Sequence, residues 1–288
     1  MTAPTAVGVD VGGTTIQAVM FDKALTPVAA ESSPTPRGGE AILDAISSSV
    51  AALTDGRGPD TVAVGIPGRV DVVDGTVRTA VNLGITEPVA VRDRLEDRLG
   101  VPVHVENDVN AAALGAFAHF RMDPTASLAY VNVGTGIAAG FVVGGRLLRG
   151  ATGGAGEIGH IPMRPDGPPC PCGQIGCAEA VGSGRAVSAE AATDGDVIAA
   201  VAWAIQLCVM TLDVDVVVVG GGMTSSGDPF RRRVVDALAK AEVASPMLAA
   251  TGLARRVRLA PVDDPLGSLG AVLAARAPEV IPWAASPS

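Results

Sequence analysis

A chain of 288 residues with 48% hydrophobic and only 3% aromatic side chains has ample apolar surface for two α/β domains built on small aliphatic cores, so a folded rather than a disordered chain is expected. A net charge of −9 offers nothing to nucleic acid or to an anionic membrane surface. No 18-residue apolar run is read in it, and the start, MTAPTAVGVDVGG, lacks the regions of a signal peptide, so a cytoplasmic location with reduced thiols is expected.

The first element, AVGVDVGGTTIQAVMFD (6–22), reads as strand, glycine turn, strand, because Val7, Val9 and Val11 alternate with small or polar residues before Gly12-Gly13. A helix is expected at about 39–53, with Ile42, Leu43, Ile46, Val50 and Leu53 on one face. TVAVGIPG (61–68) is a strand ending in Pro67-Gly68. VRDRLEDRLG (91–100) is a short amphipathic helix closed by Gly100, and VPVHVEND (101–108) is a strand running into the helix VNAAALGAFAHF. The pattern then restarts at SLAYVNVGTGIAAGFVVGGRL (127–147), again strand, glycine turn, strand, which suggests an internal duplication. Helices near 184–192 and 195–211, a buried strand at 214–222, a helix from Asp228 to Val243, a strand at 256–261 and a last helix at 266–277 complete the alternation. It predicts mostly parallel sheets flanked by helices. The run Arg231-Arg232-Arg233 reads as a solvated helix face.

Three glycine turns follow strands: DVGGTT (10–15), NVGTGI (132–137) and GGGM (220–223). Glycine lets backbone N–H groups approach an anion closely, so converging turns could cradle a nucleotide. No G-x-x-x-x-G-K-[ST] is present and no G-x-G-x-x-G opens a helix, which excludes a Walker-type ATPase and disfavours a Rossmann site. ENDVNAAA (106–113) puts two acids and two amides at a strand-to-helix junction. Asn107 or Asp108 could simply cap the helix, or a carboxylate kept ionised by the helix N-terminus could accept a hydroxyl proton during phosphoryl transfer. In GHIPMRPDGPPCPCGQIGCAE (159–179), His160, Cys170, Cys172 and Cys177 supply the donor set of a closed tetrahedral zinc site. C-x-C is poor for redox, and free cysteines do not usually cluster beside a histidine. With all four positions taken by protein the ion would clamp a loop flanked by Glu157, His160 and Glu179, groups suited to sugar hydroxyls. Cys208, alone on an apolar helix, reads as core.

DVGGTT, GIPGRV, ENDVNAAALGA, NVGTGIAAG, GATGGAGEIGH, CPCGQIGCAE and VVVVGGGM occur in the order seen in the ROK family of sugar kinases and repressors, which the chain resembles over nearly its whole length. The resemblance implies an α/β, two-domain actin/hexokinase-like (ribonuclease H-like) fold with an interdomain cleft. The domains would be 1–118, joined by the helix from about 266–288, and 119–265 with the zinc-clamped sugar loop. It implies Asp108 as catalytic base, and Gly68, Arg69, Asn82, Asn107, Asp108, Glu157, His160 and Glu179 around the sugar. Gly12, Gly13, Thr14 and Thr15, with Gly134, Thr135 and Gly136, would hold ATP phosphates. Asp10 would help position Mg2+, Gly220, Gly221 and Gly222 would border the adenosine, and His160, Cys170, Cys172 and Cys177 would bind zinc.

The expected activity is ATP-dependent phosphorylation of the 6-hydroxyl of a hexose or amino sugar, by a homodimer that binds neither nucleic acid nor membrane. The family's repressors carry an N-terminal helix-turn-helix domain, for which a first strand at residue 6 leaves no room, so a kinase is expected rather than a regulator. A silent sugar-binding protein is the alternative. Family glucokinases have N-L-P-G-W where this chain has NLGITEP (82–88), which leaves glucose, an N-acylhexosamine and kanosamine as candidate sugars.

Overall fold

The computed structural model describes residues 5–54, 58–262 and 264–276. They form two compact units. Among the described residues, the first comprises those up to Phe120, the segment Arg149–Ala155 and those from Pro265 to Arg276; the second comprises those in Arg121–Leu148 and Gly156–Asp264, and the stretch 277–288 of the expected last helix lies outside the described residues.

In the first unit the chain runs β1 (Ala6–Val11), β2 (Thr15–Phe21), β3 (Pro27–Pro34), α1 (Gly39–Leu53), β4 (Thr61–Ile66), β5 (Arg69–Asp71), β6 (Thr76–Thr79), β7 (Val89–Ala90), α2 (Val91–Leu99), β8 (Val103–Asn107) and α3 (Asp108–His119). The second unit follows with β9 (Leu128–Val133), β10 (Ile137–Val143), β11 (Arg146–Leu147), α4 (Ala178–Gly182), α5 (Gly184–Ser188), α6 (Asp194–Leu212), β12 (Val216–Gly220), α7 (Asp228–Ala244), α8 (Pro246–Thr251), α9 (Leu253–Arg256) and β13 (Val257–Leu259). The last helix, α10 (Leu266–Arg276), belongs to the first unit.

Each unit is organised on a five-stranded sheet, β3-β2-β1-β4-β8 in the first and β11-β10-β9-β12-β13 in the second. Counting strands within each sheet, both have the order third, second, first, fourth, fifth. Both are antiparallel among the first three strands and parallel from the first strand outward. The duplication expected from the two glycine-turn hairpins is therefore present in the topology. The expectation of mostly parallel sheets is corrected to mixed sheets. A tight glycine turn returns the chain beside the strand it left, which imposes an antiparallel pair at the start of each unit.

The central strands β1 and β4 are buried on both faces and read as nearly continuous apolar runs. The edge strand β3, PVAAESSP, is mostly exposed, and its polar, proline-flanked sequence carries no alternation to reveal it. A small sheet, β5-β6-β7, also went unread because its strands are two to four residues long. The helix expected at 184–192 ends at Ser188, and Glu190 takes φ 56°.

On one face of the first sheet Val7, Val9, Val62 and Val64 pack against Ile42, Leu43 and Ile46 of α1 and Leu95 of α2. The other face meets α3 and α10 through small residues, Ala63, Ala111 and Ala271 among them. There a Cβ on Gly115 would run into the Leu266 carbonyl, and one on Gly270 into that of Ala111, so the two helices touch backbone to backbone. In the second unit Val131, Val133, Val217 and Val219 pack with Val197, Val201 and Ile205 of α6 and Phe230 and Val234 of α7. The expectation that no apolar run reaches membrane-spanning length is corrected by α6, which has a mean hydropathy of 1.8 over 18 residues. That helix opens on a Thr193–Asp196 capping box and lines the core of the second unit, which accounts for its apolar composition.

Candidate active site and metal cluster

In the first unit β1, β4 and β8 run parallel and adjacent, so their C-terminal ends lie side by side, the place where open α/β sheets bind ligands. Those ends carry Asp10 with the turn 12–15, Pro67-Gly68, and Asn107-Asp108. The junction at β8 is built around the cap. Asn107 Oδ1 accepts from the N–H groups of Val109 and Asn110, both at 3.0 Å, and its Nδ2 donates to the Gly68 carbonyl at 3.1 Å. Asn107 therefore caps α3, and Asp108 is the first residue of the helix, half-buried. Gly68 takes φ 105°, and a Cβ there would run into the Thr79 carbonyl. The turn 12–15 is tied by Gly12 N–H to the Thr15 carbonyl at 2.8 Å and by the Thr35 hydroxyl to the Gly12 carbonyl at 2.8 Å. Gly13, Thr14 and Thr15 are exposed, so the turn is within reach of an anion.

Asp10 is partly exposed as a residue, but its carboxyl group sits against Gly267 in the first turn of α10, where a Cβ could not fit. Burial raises its pKa to about 6. A raised acid costs stability once ionised: the penalty is absent below the unfolded value near 4, grows up to about pH 6 and is constant above it. The penalty amounts to at most about 3 kcal/mol, because Asp10 keeps some exposure. In EDTA and without nucleotide, Asp10→Asn is expected to melt higher than the parent protein at pH 8, with the gap shrinking as pH falls from 6 towards 4. A gap independent of pH would refute that account of Asp10. A poorly compensated carboxylate is also the donor chemistry a hard divalent cation takes.

Asn82 lies on the turn between β6 and β7, its carbonyl accepting from Arg37 Nη1 at 3.3 Å. Arg69, exposed at the start of β5, donates from Nε to the Thr152 carbonyl at 3.3 Å.

In the second unit β9 and β12 are parallel neighbours with Asn132 opposite Gly220, so turns 134–136 and 220–222 emerge together. Asn132 lies between them: its amide nitrogen is 3.8 Å from where a Gly134 Cβ would be, and its Oδ1 occupies the place of one on Gly221. Glu179 is bound to the first of these turns. Its Oε2 accepts from Ile137 N–H at 3.2 Å, its Oε1 is 3.5 Å from Arg185 Nη1, and a side chain on Gly136 would collide with it. Backbone bonds from Gly184 to Gly134 (2.8 Å) and from Arg185 to Thr135 (3.2 Å) fasten α5 to the same turn. A residue expected at the sugar and a turn expected at the phosphates thus form one hydrogen-bonded assembly.

His160 Nδ1, Cys170, Cys172 and Cys177 converge as expected, with all four donor atoms within 4.8 Å of one another and no disulfide. Cys170 Sγ is 3.6 Å from His160 Nδ1, and Cys172 Sγ is 3.7 Å from Cys177 Sγ. A tetrahedral ion with bonds of about 2.3 Å to sulfur and 2.0 Å to nitrogen has edges of roughly 3.5–3.8 Å, which these two pairs match, and small side-chain movements would bring the remaining donors to the same spacing. Gln174 donates to Cys172 through its backbone and side chain and holds that thiol down at about 6, while burial pushes Cys177 up to about 12 and raises Cys170, so Cys172 is the thiol nearest the thiolate form a metal takes. The other ring nitrogen, Nε2, faces Glu157 at 3.9 Å, so one edge of the His160 ring meets the cluster and the other meets Glu157. Arg164 on the same loop is paired with Asp196 of the α6 capping box at 2.8 Å. Cys208 is in the α6 core, as expected.

Sequence reasoning assigned no role to Glu106, Arg149, Arg185 or Gln174. Glu106 is visible in END, but its partner Arg149 is 43 residues away and carries no local signal.

A model of the ROK family matches residues 6–201. The chain is similar to a glucokinase of Streptomyces coelicolor, 39% identical over 181 residues that cover 63% of this chain and 57% of that protein. It thus spans less than two thirds of that relative's length. It is also similar to an N-acetylmannosamine kinase of Salmonella arizonae, 33% identical over 66% of this chain and 65% of that one. Among solved structures, a ROK family glucokinase from Streptomyces griseus in complex with glucose and AMPPNP superposes with a TM-score of 0.76 at 27% identity, covering 94% of this chain and 99% of that one.

Proposed function

The chain belongs to the ROK family, with its two-domain actin/hexokinase-like fold, and we propose that it is an ATP-dependent kinase acting on the 6-hydroxyl of a hexose or amino sugar. The observation that carries this reading is the end of the first sheet. Asn107 caps α3, and Asp108, the first residue of that helix, stands at the strand ends that also bear the 12–15 turn and Gly68, which puts a carboxylate beside the groups proposed for the sugar and the phosphates. In the reaction the sugar oxygen attacks the γ-phosphorus, the bond to the β–γ bridging oxygen breaks, ADP leaves and the hydroxyl proton passes to Asp108.

Asn107, Gly68, Asn82 and Arg69 of the first unit and Glu157, His160 and Glu179 of the second are assigned to the sugar. The N–H groups of 12–15 and 134–136 are assigned to the phosphates, and 220–222 to the adenosine. Asp10 would help hold Mg2+, which would supply neutralising charge to the transferring phosphoryl group. Zinc in the Cys3His cluster would fix the ring of His160. An exocyclic CH2OH is the least hindered nucleophile a hexopyranose offers, which supports the 6-position. The guanidinium of Arg69 disfavours a cationic amine, an objection to kanosamine that glucose and N-acylhexosamines escape. The reading includes a cytoplasmic homodimer.

The test is a screen of hexoses and amino sugars with ATP and Mg2+, followed by NMR of the product. A 6-phosphate is expected. Phosphate at the anomeric carbon would overturn the position, and no phosphorylation of any sugar would promote a silent sugar-binding protein.

A further inference from the structure

We propose that Arg149 and Glu106 form a buried latch that positions Asn107 and Asp108, making Arg149 a positioning residue of the reaction; this rests on the reading of Asp108 as base. Glu106 is 1% exposed. Its Oε1 accepts from the Asn107 N–H at 3.0 Å and from Asn110 Nδ2 at 3.2 Å. Its Oε2 takes both Nε and Nη2 of Arg149, each at 2.8 Å. Each oxygen therefore holds two donors.

Two of these donors flank Asp108: the peptide N–H of the preceding residue, and a side chain from the first turn of the helix that Asp108 begins. The third partner, Arg149, prevents rotation of the carboxylate, because a planar fork closed on one oxygen holds both its distance and its plane. Stability alone gives no reason for charge here. Apolar residues of similar volume commonly replace a buried ion pair without loss, whereas a carboxylate can orient a peptide N–H and an amide together.

Arg149 also begins the segment Arg149–Ala155, which packs with the first unit while the chain on either side of it belongs to the second. Ala155 N–H returns to the Arg149 carbonyl at 3.2 Å, Thr152 accepts from Arg69, and a Cβ on Gly153 would lie 2.8 Å from the Val70 carbonyl. The latch thus holds a glycine-rich segment beside Arg69 as well as the residue pair at the helix start.

Removing one partner leaves a buried charge unpaired and endangers folding, so the decisive protein is the double variant Glu106→Met/Arg149→Met, with Arg149→Lys beside it. The double variant is expected to melt close to wild type, to keep its KM for ATP and to lose on the order of 10²-fold in kcat through misplacement of Asp108. Arg149→Lys, which keeps the charge and loses the fork, should fall between the two. A folded double variant with kcat within about threefold of wild type overturns the latch. If the double variant does not fold, wild-type kcat in Arg149→Lys overturns it instead. If wild type phosphorylates no sugar, the reading of Asp108 fails separately. Hydrogen exchange then decides: faster exchange at residues 106–110 in the double variant supports the latch, and unchanged exchange refutes it.

Discussion

Asp108→Asn is expected to fold, to bind sugar and to turn over about 10²- to 10⁴-fold more slowly than wild type, the usual effect of removing a general base. The structure makes this variant a clean probe. The cap of α3 is the side chain of Asn107, which accepts from Val109 and Asn110, so the cap survives the change. The change also removes a negative charge near the macrodipole, a contribution of about 0.3–1 kcal/mol, small beside the stability of an ordinary domain. Asparagine keeps the size and most of the hydrogen bonding of aspartate but cannot take the hydroxyl proton. The measurement is steady-state kinetics together with sugar affinity by calorimetry. Near wild-type kcat would remove Asp108 from the chemistry and send the search for a base elsewhere.

The second large effect is expected at the cysteine cluster. Purified protein should hold one tightly bound zinc per chain, and Cys172→Ala should lose it with a marked fall in melting temperature. Cys172 is the informative choice because it is exposed, whereas Cys177 is fully buried. Trimming Cys172 opens no cavity, so the loss reports the ion; trimming Cys177 would add the cost of a hole. Structural zinc sites bind with apparent free energies of about 10–16 kcal/mol in small peptides, comparable to the whole stability of a domain. The loop is otherwise held by a few backbone bonds, such as Met163 N–H to the Gly176 carbonyl at 2.8 Å, and by the Arg164–Asp196 pair. Without the ion His160 loses its orientation, so weaker sugar binding should accompany the loss. Elemental analysis showing full zinc in the variant refutes the assignment.

Much of this was legible because it is written locally. Alternating valines before paired glycines specify a hairpin within a few residues, and the repeat of that pattern at 127–147 announces a second unit. A histidine and three cysteines within eighteen positions define a donor set whatever the surrounding fold. Asn-Asp at the end of an apolar strand marks a helix start for the same reason: capping depends on three or four consecutive residues.

Which of the two residues caps α3 was not legible, since either side chain can accept the same N–H groups. That was decided by the Gly68 carbonyl, 39 positions away, which takes the Asn107 amide. The latch between Glu106 and Arg149, the backbone contact of Gly115 and Gly270 with the facing helices, and the attachment of Glu179 to the turn at Gly136 are likewise invisible along the chain. The physical reason is the same in each case. Local periodicity and turn chemistry act over a few residues, whereas these pairings exist only after distant segments have been closed into one packed unit. The partner is then selected by distance, burial and the need of each buried polar group for a donor or acceptor.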